Sequence, residues 1–326
     1  MFVRTEVDFS PAVYEHAARL IQRSPWEVSR DDNLLFQAHA AAYRLYEHSP
    51  IVVGIDIYNL EAEAYGAIIE PPAGDDIPAI GKPVCQSIDD LMGLAHFDPE
   101  KAARIPMIIK AGRKLKQEFP QTDVRVPVSG LFSIASNLLG IEPLLMASVM
   151  EPERVLRALM HLSAGQVNFY RCILENGLGI SLFESAAAPP LISPATFRKI
   201  ALPPLVAMMN QIRKMTVDPI SCIIGGDTAP LVELMMEIGT GYVICPFETD
   251  QGLFMRKIER YPEVIVRINI DPNLLIRGDM GMLYAEADRV IALSKNRANV
   301  CIGTGVVPFE TDPEVILKLK QYVLAK

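Results

Sequence analysis

The sequence lacks any run approaching the ~18 consecutive apolar residues that a membrane-spanning helix needs. It also lacks an excess of positive charge. With 31 Lys and Arg against 39 Asp and Glu, the net charge is -8, which argues against nucleic acid and anionic membrane as partners. The opening segment Met1–Ser10 carries Arg4, Glu6 and Asp8 and has no apolar stretch of the kind a secretory signal contains. Cysteine is scarce: five in 326 residues, an odd number that fits reduced thiols better than a disulfide framework. These absences together lead to the expectation of a soluble, cytoplasmic protein. No Gly-x-Gly-x-x-Gly follows a strand, because Gly303-Thr304-Gly305 lacks the third glycine, and this argues against an open dinucleotide-binding sheet. No Glu-x-x-His or His-x-x-x-His spacing occurs among the five histidines, so packing or solvated roles are expected for them. No linker divides the chain, and residues 1–326 read as one domain.

What is present is a recurring unit, a short apolar run ending in a polar residue and followed by a helix-start signal. Ile180–Ser185 precedes Ser193-Pro194, Ile220–Asp227 precedes Thr228, Val264–Asn269 precedes Asp271-Pro272, and Asn299–Thr304 precedes Asp312-Pro313. Ser, Thr or Asp at the N-cap with Pro at the first helical position is how a helix begins. Strands too apolar to alternate, separated by helices, point to a parallel sheet covered on both faces. The expected fold is a TIM-type (β/α)8 barrel with extra N-terminal helices, its pocket at the C-terminal strand ends.

Seven strands are clear, at Ile51–Ile57, Val124–Val128, Gly179–Glu184, Pro219–Ile224, Gly241–Pro246, Val264–Asn269 and Asn299–Gly303. The eighth is expected near Ile77–Ile80 or in distorted form. Helices are expected at Pro11–Arg23 and Asp31–His48, forming an N-terminal extension over 1–48, and at Leu60–Tyr65, Arg104–Glu118 and Pro152–Asn176, the last stopped by Gly177.

Strand ends supply the candidate chemistry. Asp56 ends an apolar run, so its carboxylate must be paired, hydrogen-bonded or protonated; the alternatives are a site acid and a salt bridge to a barrel arginine. Glu184, Ser185, Asp227 and Glu248 stand at other strand ends, where carboxylates act as acid or base, hold a cation or grip a cationic substrate. Asp227 has the alternative of capping the helix entered through Thr228. Further candidate substrate contacts are Asn59, Glu63, Ser129, Asn269 and Thr304, in or beside the same segments. Cys222, Cys245 and Cys301 lie within strands, where a core role is the commoner one. Ser24–Asp31 holds the only tryptophan and reads either as a lid or interface, or as a packing anchor.

At Phe183-Glu184-Ser185 followed by Phe197-Arg198-Lys199-Ile200-Ala201-Leu202-Pro203, the chain resembles the uroporphyrinogen decarboxylase superfamily, nearer to its corrinoid and coenzyme M methyltransferases than to the decarboxylase itself. Asp56-Ile57 with Glu61–Gly66, Gly225-Gly226-Asp227-Thr228, Asn269-Ile270-Asp271-Pro272, and Gly303-Thr304-Gly305 with Asp312-Pro313-Glu314 extend the resemblance over roughly residues 30–326. It implies that Asp56 matches the aspartate that gathers pyrrole N–H groups, and that Ser185 matches a serine contacting a substrate carboxylate. The Arg-Gln-x-Gly-Arg segment that binds acidic side chains is absent, the active-site tyrosine falls near Ser136, and the late histidine falls at Thr304. A polycarboxylate without its arginine clamp would leave repulsion unanswered. The methyltransferases' zinc-binding His-x-Cys pair falls at Ile223 and Gly225, and their distant Cys at Thr304; no zinc is therefore expected.

The resemblance thus implies a corrinoid-linked methyltransferase without the zinc-thiol site, acting on a small molecule with a methylcobamide as protein-bound co-substrate. A corrinoid-binding protein is the implied partner, and a monomer or homodimer the implied assembly. A decarboxylase or lyase of a tetrapyrrole or small carboxylated substrate, and a non-catalytic binding protein, stay open beside it.

Overall fold

The computed structural model describes residues 8–326; Arg4 and Glu6 of the opening segment lie outside the described residues. Among the described residues ten strands are present, in chain order: β1 (Asp8–Ala12), β2 (Ile51–Val52), β3 (Ile68–Glu70), β4 (Ala79–Lys82), β5 (Val124–Ser129), β6 (Gly179–Phe183), β7 (Ser221–Ile223), β8 (Tyr242–Cys245), β9 (Ile265–Ile270) and β10 (Val300–Val306). Eight of them form one sheet in the order β1-β10-β9-β8-β7-β6-β5-β2, and every pairing in it is parallel. At the two ends of this sheet, Ser10 Oγ of β1 donates to the carbonyl of Ser49, two residues before β2, at 3.0 Å. The result is a TIM-type α/β fold. Strand residues facing the helices, Val243, Cys245, Val266 and Ile268, are fully buried. This is why the runs read as continuous apolar stretches.

The eighth strand of the sheet is β1, not the segment near Ile77–Ile80. Pro11 resembles a helix start in sequence but stands in an end strand that pairs only with β10, with the register shifting between Ser10 and Ala12; a residue without an N–H is tolerated at such an edge. The helices His16–Leu20, Pro25–Val28 and Asp32–Tyr46 consequently form the connection from β1 to β2. They are not an extension outside the barrel. Ile77–Ile80 instead leads into the antiparallel hairpin β3-β4, which folds over the mouth.

Three of the four helix-start signals carry a side-chain cap. Ser193 accepts from the Thr196 N–H, Asp271 from Asn273 and Asp312 from Glu314, each with Pro at the first helical position. Thr228 makes no such cap. The long helix expected at Pro152–Asn176 is two, Pro152–Gly165 and Val167–Glu175. Gly165 packs so closely on Tyr65 Oη that a Cβ there would lie 2.5 Å from it. His16, His39 and His48 are buried, and burial lowers their pKa values to about 4, about 4 and about 3. They are neutral packing groups: the Gly54 N–H donates to His39 Nε2 at 3.0 Å, and His16 Nε2 lies 2.8 Å from Tyr46 Oη. Cys222, Cys245 and Cys301 are buried as well, as core strand positions predict.

Candidate functional site

Two adjoining cavities open at the C-terminal strand ends. The smaller, about 320 Å³, is lined by Tyr58, Phe183, Ser185, Glu248, Arg267 and Asn269 among others. The larger, about 550 Å³, is lined by Glu15, Asp56, Asn59, Ser136 and Asn137, with Ile77, Pro78 and Ile80 of the hairpin segment as its roof. Tyr14, Ile57, Tyr58 and Val306 line both.

Ser185 lies two residues past the end of β6, and it lines the smaller cavity at the mouth. Its hydroxyl lies 2.6 Å from Tyr58 Oη and accepts from the Gly225 N–H at 3.3 Å, tying together the segments that follow β2, β6 and β7. Phe183 meets Tyr14 and Tyr58 edge to face, with centroids 6.1 and 6.0 Å apart. This aromatic wall fixes the Tyr58 ring. Burial raises the Tyr58 pKa, against the lowering effect of the Ser185 hydrogen bond, so the phenol keeps its proton at neutral pH.

Asp56 is buried and held by a bidentate ion pair, with Arg104 Nη1 and Nη2 each 2.7 Å from one of its oxygens. Asn59 Nδ2 donates to it at 3.1 Å and to the Pro78 carbonyl at 2.7 Å, fastening the roof. Arg104 also pairs with Glu63 and donates to the Ser29 carbonyl; Arg30 pairs with Glu63 at 2.6 Å and stacks over Trp26 at 4.3 Å. Burial works to lower the Arg104 pKa, and the Asp56 and Glu63 carboxylates outweigh it and hold it raised. The Ser24–Asp31 segment is therefore a brace for this ion-pair cluster. Asp56 borders the larger cavity as a paired carboxylate, the second of the two alternatives that the sequence left open.

Four residues expected at the substrate face elsewhere. Glu184 is fully buried and accepts from the Phe132 N–H, the Ser133 N–H and the Ser133 hydroxyl at 2.9, 2.9 and 2.6 Å, capping the helix Leu131–Leu139. Ser129 donates its N–H and hydroxyl to buried Glu61 at 2.7 and 2.9 Å. Glu63 is taken by Arg30 and Arg104. Thr304, within β10, is buried and its Oγ1 accepts from the Ala12 N–H at 3.2 Å, so it joins the seam between β1 and β10 instead of the pocket. In each case a main-chain donor or a buried charge at the barrel rim needs that side chain.

Asp227 is exposed, outside the lining of both cavities, and accepts from Thr249 Oγ1 at 2.7 Å. That hydroxyl in turn accepts from the Ala229 N–H at 2.8 Å, so Asp227 supports the helix start indirectly. Glu248 lines the smaller cavity, its pKa raised by partial burial and by the charge of Asp271. Asn269 also lines it, with Oδ1 accepting from Arg267 Nε at 3.0 Å.

Sequence reading missed Tyr14, Glu15, Tyr58 and Arg267. Glu15 is 7% exposed, one of its carboxylate oxygens has no hydrogen-bond partner among the described residues, and burial lifts its pKa from 4.5 to about 7. Arg267 sits inside the apolar run Val264–Asn269; an arginine within such a strand was the available signal. Among the described residues no group of three His, Cys, Asp or Glu is placed to hold a metal ion. No single helix among them is long and apolar enough to cross a membrane, and the apolar pair Leu131–Leu139 and Ile141–Met150 is bent by 116°.

Comparison with solved structures finds a methyltransferase from Methanosarcina mazei, with a TM-score of 0.82 and 17% identity over 98% of this chain and 94% of that one. A B12-independent methionine synthase from Shewanella sp. W3-18-1, in complex with selenomethionine, aligns with a TM-score of 0.59 and 10% identity over 98% of this chain and 96% of the other. At these identities the likeness is one of fold. No curated protein matches in sequence. The family model for uroporphyrinogen decarboxylase (URO-D) matches residues 2–324, and the chain belongs to that family.

Proposed function

We propose that this protein is a methyl-transferring enzyme that holds a small molecule at the barrel mouth, where a corrinoid-binding partner presents the methyl-carrying face of its cobamide as co-substrate. The observation that carries this reading is the hydroxyl pair Tyr58–Ser185 standing between two joined cavities at the C-terminal strand ends, in a chain whose fold is shared with a methyltransferase. In-line transfer needs donor and acceptor held at ~3–3.5 Å, so the protein's part is positioning and polarisation rather than attack. Ser185, Glu248, Asn59 and Asn269 face the cavities and would contact the small molecule directly. Asp56, itself fixed by Arg104, holds the roof in place through Asn59, and Asp227 acts at the outer rim. The acceptor in this reading is not a zinc-bound thiolate, since Ile223, Gly225 and Thr304 offer neither thiolate nor imidazole. The reading also includes a cytoplasmic setting and a monomeric or homodimeric state. The pairing of both Asp56 oxygens with Arg104 weighs against a lyase in which that carboxylate meets a developing cation.

The test is to mix the protein with methylcobalamin and a panel of thiol, amine and phenol acceptors, with and without a corrinoid-binding protein. Loss of the methylcobalamin absorption is expected for at least one acceptor. An unchanged spectrum across the panel, with carbon dioxide released from carboxylated compounds, would replace this reading with the lyase.

A further inference from the structure

Among the described residues Arg267 is the one cation lining the smaller cavity, and its surroundings are unusual for a buried charge. The residue is 8% exposed, and its side chain runs inside the barrel across Gly303, where even a Cβ would collide with it. Glycine at 303 is what makes room for that path. The guanidinium donates from Nε to Asn269 Oδ1 at 3.0 Å, and its other close polar neighbours are Tyr242, Tyr14 and Cys301. None of these is a carboxylate, and among the described residues no acid forms an ion pair with Arg267. The phenols do not supply the missing charge, because burial raises the pKa of Tyr14 to about 12 and that of Tyr242 further still. By contrast Arg104, the other buried arginine at the mouth, is saturated by Asp56 and Glu63. A buried cation without a counter-ion is costly and is normally paired.

We infer that Arg267 is the receptor for a carboxylate carried by a small, largely apolar molecule bound in the smaller mouth cavity. This rests on the reading of the mouth as the ligand site and names the class of ligand it takes. The guanidinium fork matches a carboxylate in bidentate fashion, and Asn269 fixes the fork's orientation through Nε. A single cation answers a single negative charge. A phosphate dianion would bring a second charge into a cavity that Glu248 also lines and that Phe183, Ile223, Ile244 and Phe247 make apolar. The remainder of the ligand would rest on those apolar side chains, with the Tyr58–Ser185 hydroxyls within the same space.

The test measures thermal unfolding of the full chain at fixed chloride with acetate, hexanoate, benzoate, benzamide and inorganic phosphate, for wild type, Arg267→Met and Arg267→Lys. At least one of the monocarboxylates is expected to raise the wild-type Tm while benzamide and phosphate do not. Arg267→Met is expected to abolish that response and, relieved of an unpaired charge, to melt no lower than wild type without ligand. Arg267→Lys keeps the charge without the fork and is expected to bind at least about tenfold more weakly; it serves as the readout if the Met variant does not fold. Equal responses to benzoate and benzamide, a preference for phosphate, an undiminished response in Arg267→Met, or no response to any monocarboxylate would each overturn the inference. No methyl donor takes part, so these outcomes are independent of whether the protein transfers a methyl group.

Discussion

The hydroxyl oxygens of Tyr58 and Ser185 lie 2.6 Å apart, joining the segment that follows β2 to the one that follows β6 across the barrel mouth. Both segments leave strands whose ends are far apart in sequence, so the bond acts as a cross-tie. A double-mutant cycle with Tyr58→Phe and Ser185→Ala, read by urea denaturation, is expected to give a coupling of about 0.5–1.5 kcal/mol. Strictly additive losses would mean the two hydroxyls do not depend on one another.

Arg104 compensates two acids at once. Arg104→Met leaves Asp56 and Glu63 without their shared partner in a buried setting and is expected to destabilise the fold by about 3–5 kcal/mol. Asp56→Asn is expected to cost less, because Glu63 still pairs with Arg104. Denaturant midpoints for the two variants decide the order, and a milder loss in Arg104→Met would contradict the cluster's role.

Glu184 gives a pH signature. Its carboxyl is pushed from 4.5 to about 7 by burial, against the lowering hydrogen bonds from Ser133 and Phe132. A raised folded pKa means the folded state holds the proton more tightly, so its stabilising contribution is present below 4.5 and is lost as pH rises through 7. His39, lowered to about 4, runs the other way and loses stability as pH falls from 6.5 toward 4. Glu184→Gln carries no charge at any pH, so its stability relative to wild type is expected to improve by on the order of 2 kcal/mol between about pH 5 and pH 8. Urea titrations at those two pH values check the sign.

How much of this was legible in the sequence follows from the range of the interactions. Ser193, Asp271 and Asp312 cap helices that start within three residues of them, so local pattern sufficed. The strand ends at Ser185, Glu248 and Asn269 were found because predominantly apolar runs lead up to them. The strand β1 escaped because five residues containing Pro11 carry a helix-start signal and owe their extended form to β10, nearly three hundred residues away. Thr304 and Glu184 have the polarity of site residues, but their partners, the Ala12 N–H and the helix start at Leu131, come from other parts of the chain. The pairing of Asp56 was one of two alternatives in sequence, and its partner Arg104, 48 residues on, was not identifiable from spacing. Arg267 stands out as a lone charge inside an apolar strand, but its neighbours Tyr14, Tyr242 and Cys301 come from other parts of the chain.

Gly303 tests the packing beneath the cavity. A Cβ at this position would lie 2.7 Å from the Ser10 carbonyl oxygen and would collide with the Arg267 side chain. Gly303→Ala is expected to cost about 1–3 kcal/mol by overpacking. A variant as stable as wild type would show that Arg267 readily takes another path.

In the proposed function, chemistry occurs at the mouth beside Tyr58 and Ser185. The most direct measurement is the rate of methyl loss from methylcobalamin to the responding acceptor, compared among wild type, Tyr58→Phe, Ser185→Ala and Asp218→Asn, the last at the N-terminal end of β7. At least a roughly tenfold fall is expected for the first two variants, about 1.4 kcal/mol of barrel-mouth positioning, and no change for the third. Wild-type rates in Tyr58→Phe and Ser185→Ala would contradict the proposed function.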